Sequence, residues 1–232
     1  LSISMLSIGI ITARFLGPEG RGAYSLFFVI VGFAISFFNL GISQSNTFYF
    51  AKTKNTELFS NSLFICLAIL VVVTVSTVGY SKLSDIQLPL TMLIICIAAG
   101  LMQTFLSGII LGGRYFSEYS IIQLTYSFLL VALTVVMIPI ESTREWAIEL
   151  RAAGALVTSL FVLVYLRFLL GPIKLLPNFS LLSKQMRFGL YNWVQNLIGQ
   201  VNYRIYILAL AYASGTADVG VFSVALLIVE VV

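Results

Sequence analysis

Arg14-Phe15-Leu16-Gly17-Pro18-Glu19-Gly20-Arg21-Gly22-Ala23-Tyr24-Ser25 is a glycine-rich turn between two apolar runs, and its pattern returns later in the chain. Gly17, Gly22, Tyr24 and Ser25 have the same mutual spacing as Gly215, Gly220, Phe222 and Ser223, 198 positions further on. Each copy follows one long apolar segment and opens another. Matched context on both sides of a shared spacing reads as an internal structural repeat.

The runs around the turn decide the class. Hydrophobic residues make up 59% of the chain and charged residues 9%, with a mean hydropathy of +1.03. Soluble domains are ~25% charged, so this is an all-α integral membrane protein, a polytopic helical bundle. A barrel is excluded because its strands would alternate apolar and polar residues. At about 30 residues per helix plus connection, roughly six to eight spans fit. The first and last residues both lie inside apolar runs, so we read the chain as a fragment of a longer transporter-like protein. No basic n-region or cleavage site marks residues 1–14 as a signal peptide.

The apolar runs predict helices over 1–15, 22–51, 58–80, 87–112, 118–140, 146–170, 184–212 and from 217 onward. Pro18, Pro89, Pro139, Pro172 and Pro177 all fall at or near their ends, where a missing N–H costs little. Lys52, Lys54, Arg114, Arg167, Lys174, Lys184 and Arg187 occupy connections on one side. Arg14, Arg21, Lys82, Arg144 and Arg151 occupy the other, among Glu19, Asp85, Glu141, Glu145 and Glu149. The bias places the first side in the cytoplasm. The expected organisation is a first lobe over 1–171, a cytoplasmic linker over 172–183 and the start of a second lobe over 184–232. An even number of helices separates the two copies of the turn, so the repeat is parallel, and a substrate site is expected between the lobes.

Polar groups inside the helices mark that site. Gly32, Ser36, Asn39, Ser43 and Asn46 recur at alternating spacings of four and three, one face of a helix. They serve helix packing or line a cavity. Asn192, Gln195, Gly199, Asn202 and Tyr206 form a second such face, flanked by Asn196, Gln200 and Tyr203, and its density of amides favours a water-filled cavity. Gly100, Gln103 or Thr104, Ser107 and Gly108 form a weaker small face suited to packing. Arg204 and Glu230 are charges within helices. They form an ion pair between helices, or Arg204 binds an anion in the cavity, or both. Arg14 and Arg21 either reach the headgroups or join Arg204 as the cationic outer half of the cavity, where planar guanidinium forks suit phosphate.

These residues carry a family likeness. The opening turn from Arg14 to Tyr24 resembles that of bacterial polysaccharide biosynthesis proteins, the oligosaccharide flippases of the multidrug/oligosaccharidyl-lipid/polysaccharide exporter superfamily. Leu40-Gly41-Ile42-Ser43 resembles their second motif. Phe188-Gly189-Leu190, Asn202-Tyr203-Arg204 and Val219-Gly220-Val221-Phe222-Ser223-Val224-Ala225 resemble the start of their second lobe. Many relatives read Asn-Tyr-Arg-x-Asp at the middle motif, whereas position 206 here is tyrosine. The resemblance implies a two-lobed exporter fold, of which this chain covers about eight helices. It also implies that a polyprenyl-diphosphate-linked oligosaccharide crosses the bacterial cytoplasmic membrane by alternating access, in contact with membrane lipids and other polysaccharide-assembly proteins.

Two rival functions are open at this stage. A cation-coupled multidrug or small-molecule exporter of the same fold needs an embedded acid, and only Glu230 is well embedded. A membrane enzyme of polysaccharide assembly needs a catalytic constellation, whereas the chain has no histidine and short connections. Cys66 and Cys96 have no metal or disulfide spacing. No cofactor, metal or nucleic acid is expected.

Overall fold

The computed structural model describes residues 2–81, 89–137, 143–171 and 176–231. Lys82, Asp85, Pro139, Glu141, Pro172 and Lys174 lie outside the described residues, as do the side chains of Tyr203 and Glu230. Hence the expected Arg204–Glu230 pair falls outside them too.

Every described element is helical: α1 (Ser2–Phe38), α2 (Ile42–Thr53), α3 (Glu57–Ser81), α4 (Leu90–Gly112), α5 (Phe116–Met137), α6 (Arg144–Leu170), α7 (Phe179–Ser214) and α8 (Thr216–Val231). Five of them, α1, α3, α4, α5 and α6, are long and apolar enough to cross a membrane, and α8 adds a shorter apolar helix. The expected total of about eight spans is a loose fit for physical reasons. The turn at 14–22 is a one-residue kink rather than a loop, so the two expected helices stand as the two limbs of α1. Gly17 alone, at φ 68° and ψ 177°, makes the kink, and Pro18 opens the second limb where its absent N–H costs little. Arg21 Nη1 donates to Thr12 Oγ1 at 2.8 Å. Along a straight helix those positions stand ~13.5 Å apart, so the limbs fold back toward each other.

The expected helix over 22–51 is broken instead. Leu40 (φ 48°) and Gly41 (φ 70°) take left-handed conformations, and the Asn39 carbonyl and side chain accept from Ile42 N (2.9 Å) and Ser43 N (3.4 Å). The polar positions 32 to 46 therefore do not share one continuous face. Gly32 looks toward Arg204, while Asn46 is enclosed among α3, α4 and α7.

Packing explains the repeat. Gly215 (φ 91°, ψ −176°) reproduces the backbone of Gly17. A Cβ on Gly22 would strike the Thr216 carbonyl and lie 3.0 Å from Gly220 N; one on Gly220 would strike the Pro18 carbonyl and lie 3.1 Å from Gly22 N. Each contact is the other shifted by the repeat interval. The second limb of α1 and α8 thus cross through a reciprocal backbone seam that only glycine permits.

Three apolar clusters fill the bundle. Tyr24, Phe27, Ile65, Ile97, Phe105 and Ile148 anchor the first, which joins α1, α3, α4 and α6 and also holds both free cysteines. Leu58, Phe59, Leu106, Ile109 and Leu166 anchor the second, beside α2. Val29, Ile207 and Val219 tie α1 to α7 and α8. Lys54 Nζ donates to the Gly112 and Gly113 carbonyls at 3.4 Å each. Those bonds bring the end of α2 to the turn carrying Arg114, at the same end as the start of α7.

Candidate functional site

A cavity of about 520 Å³ lies between the second limb of α1, α4, α5, α6, α7 and α8. Arg21, Arg151 and Arg204 all line it, and no carboxylate does among the described residues. The kink at Gly17 aims Arg21 inward. Its side chain is 6% exposed, too buried to reach the headgroups. Besides its bond to Thr12, it leaves Nε without a hydrogen-bond partner. Ser25, one turn further along the same face, also lines the cavity and has an unpartnered Oγ.

Arg151 is held from two sides. Its Nη1 donates to the Tyr24 hydroxyl at 3.1 Å, and its Cζ lies 4.1 Å from the centroid of the Phe28 ring. Tyr24 is shared, since the Arg21 and Arg151 guanidinium carbons stand 5.3 and 5.9 Å from the centre of its ring. Cation–ring attraction, strengthened by desolvation, offsets part of the cost of burying two like charges side by side. In the second copy of the repeat the matching residue is Phe222, which has no hydroxyl and packs edge-on against Tyr206 at 5.6 Å. Arg204 is oriented from its own helix, donating from Nε to Gln200 Oε1 at 3.2 Å. Gln103, Thr104 and Tyr126 add uncharged polar groups to the wall.

The structure thus joins Arg21 to Arg204, and adds Arg151. Sequence reading assigned Arg151 to a connection, whereas it stands two turns into α6 as the last charge of the Arg144–Arg151 stretch, where no local signal separates it from Arg144, Glu145 and Glu149. The other expected residues lie elsewhere. Arg14 is exposed, and Asn39 is buried at the break after α1. Ser43 gives its carbonyl to Thr47 Oγ1 (3.1 Å) and packs against Gly108 of α4. Asn46 is fully buried in side-chain hydrogen bonds. Asn192 donates to the Phe188 carbonyl of its own helix (3.4 Å). Gln195, Asn196 and Asn202 are exposed on α7, outside the cavity lining, and Gln200 meets the cavity only through Arg204.

A model of the polysaccharide biosynthesis protein family matches residues 5–232. The chain belongs to that family. It is 32% identical to a "Putative O-antigen transporter" of Shigella flexneri over 136 residues, covering 51% of this chain and 32% of the relative. Among solved structures it resembles a MOP superfamily transporter from Pyrococcus furiosus, with a TM-score of 0.66 at 16% identity over 98% of this chain and 56% of that one. It also resembles a MATE protein solved as a proline-to-alanine variant, with a TM-score of 0.62 at 21% identity over 96% of this chain and 58% of that one. The chain therefore spans less than two thirds of these relatives. Within the family assignment, the apolar helices make it a multi-pass protein of the bacterial cell membrane. The family and these neighbours point to transporters rather than enzymes.

Proposed function

We propose that this chain forms part of a membrane exporter that moves a polyprenyl-diphosphate-linked oligosaccharide across the cell membrane by alternating access. One observation carries the reading: Arg21, Arg151 and Arg204 converge on one cavity whose described lining has no carboxylate. Such a surface suits a polyanionic headgroup, because guanidinium groups donate paired hydrogen bonds to phosphate. It disfavours a cationic drug, which needs acids or an apolar aromatic box. The diphosphate would meet Arg21 and Arg151 around Tyr24, with Arg204 facing it from α7. The name of the Shigella relative agrees with a polysaccharide precursor as cargo. The division into two lobes on either side of the 172–183 connection belongs to the same proposal.

The test uses the full chain in proteoliposomes with a fluorescent polyprenyl-diphosphate oligosaccharide, scored by leaflet-specific quenching. The native protein equilibrates the lipid between leaflets. Arg151→Ala and Arg204→Ala should each abolish this while eluting as folded protein. Normal transfer by the folded Arg21→Ala/Arg151→Ala/Arg204→Ala variant would refute the reading.

A further inference from the structure

A chain of buried amides joins α2, α3 and α7 at the lysine- and arginine-rich end of the bundle, and the cavity does not use it. Gln185 of α7 is fully buried. Its Nε2 donates to Asn46 Oδ1 at 2.7 Å, and its Oε1 accepts from Asn61 Nδ2 at 2.7 Å. Asn46 Nδ2 goes on to Ser62 Oγ (2.8 Å) and the Phe105 carbonyl (2.9 Å). Asn61 Oδ1 accepts from Asn178 N at 2.8 Å, and Asn178 Nδ2 donates to Glu57 Oε2 at 2.8 Å. One turn beyond Gln185 the backbones touch. A Cβ on Gly41 would strike the Gly189 carbonyl, and one on Gly189 would lie 2.6 Å from the Leu40 carbonyl.

The position of this chain relative to the cavity gives it meaning. Along α7, Gly189 stands ~22 Å from Arg204 on one side, while Gly215 stands ~16 Å away on the other. The cavity thus lies between two close backbone contacts, Gly22–Gly220 at one end and Gly41–Gly189 at the other. Side-chain hydrogen bonds between α7 and both α2 and α3 reinforce the second. Buried amides hold a unique arrangement when all are satisfied and release it when one partner leaves, because an unmet buried amide is costly.

We infer that Gln185, bridging Asn46 and Asn61, is the latch of the inner gate, and that the cavity opens toward the cytoplasm when α7 withdraws Gln185 from α2 and α3. The Lys52, Lys54, Arg114, Lys184 and Arg187 cluster places this end in the cytoplasm. Among the described residues, the outer seam joins α1 to α8 through glycine backbone contacts, so the two gates differ in kind. One is a steric contact of glycines; the other is a set of exchangeable hydrogen bonds.

The experiment reads access to the cavity and needs no substrate, so it stands apart from the transport assay. Gln103→Cys, in a Cys66→Ser/Cys96→Ala background, places one thiol in the cavity wall of the full chain. A membrane-impermeant maleimide is applied to inside-out vesicles and to intact cells. Adding Gln185→Leu should raise labelling from the cytoplasmic face about tenfold, the population shift that follows from losing two buried hydrogen bonds, and lower it from the outer face. Unchanged labelling in a folded Gln185→Leu protein would overturn the inference. A second variant covers a folding defect: Asn46→Cys/Gln185→Cys with Gln103→Cys, in which copper phenanthroline oxidises the first two thiols to a disulfide, the copper–oxygen couple taking the two electrons, while the Gln103→Cys thiol has no neighbouring cysteine and stays free. The disulfide should abolish cytoplasmic labelling of the Gln103→Cys thiol, and reducing it should restore that labelling. Full cytoplasmic labelling behind an intact cross-link would show that the start of α7 travels with α2, and would also overturn it.

Discussion

Gly22→Ala offers the sharpest trial of the packing described above. The new methyl group would meet only backbone: the Thr216 carbonyl carbon at 2.7 Å and Gly220 N at 3.0 Å. Ordinary carbon contacts lie at ~3.5–4.0 Å, so α8 must retreat from the second limb of α1 by about 1 Å. A gap of that size forfeits a quarter to a half of each dispersion contact along the seam. Between membrane helices such packing is a main source of attraction. Overpacking of this kind costs about 1–3 kcal/mol, and the absence of a movable side chain argues for the upper part of that range. For a chain of this size, about 2–3 kcal/mol corresponds to a fall in Tm of roughly 4–12 °C. The assay is a thermal series on detergent-solubilised full chain, scored by the folded fraction on size exclusion. Gly220→Ala should produce a similar fall, because its clash with Pro18 mirrors the first. The double variant should lose less than the sum, since one retreat of α8 makes room for both methyl groups. A Tm within ~1 °C of native for Gly22→Ala, or full additivity of the pair, would refute the reciprocal seam.

Tyr24→Phe keeps the shared ring and removes only the hydroxyl that accepts from Arg151. It should weaken binding of a soluble diphosphate several-fold by calorimetry, with less than ~1.5 kcal/mol lost in stability, and equal binding would show that the Tyr24 hydroxyl does not position Arg151. Asn61→Leu breaks the bond to Gln185 and removes the acceptor of Asn178 N, so it should destabilise the chain by about 1–3 kcal/mol, measured as a lowered Tm. Arg14→Ala, an exposed change, should leave transport and Tm near native; loss of transport at normal expression would place Arg14 in the pathway.

The membrane class, the helical pattern and the repeat were legible because each rests on local signals: unbroken apolar runs, prolines near run ends, and one glycine spacing used twice. The first boundary falls where the turn was read, but Gly17 turns the chain within a single residue, so the two expected helices stand as limbs of one element with no loop between them. The break at Leu40-Gly41 was not legible. A glycine inside an apolar run reads as packing, and its left-handed backbone becomes visible only when Gly189 lies against it. Arg21 and Arg204 were legible as candidates for the cavity, but Arg151 was not, because its partners Tyr24 and Phe28 belong to a helix far away in sequence. Periodicity grouped Asn46 with Gly32, whereas tertiary contact pairs it with Gln185, which no local pattern singles out.

The chain has two tryptophans, and one of them closes the end of α1. Trp193 Nε1 donates to the Phe37 carbonyl at 2.7 Å, and its ring lies 5.8 Å from that of Phe37. An indole whose N–H is committed to a terminal helix carbonyl emits differently from one returned to water or lipid. Trp146 stands at the opposite end, in the first turn of α6. With Trp146 replaced by phenylalanine, the protein would carry a native fluorophore at the α1–α7 junction, and a shift in its emission during a transport cycle would time the parting of those helices without any attached dye.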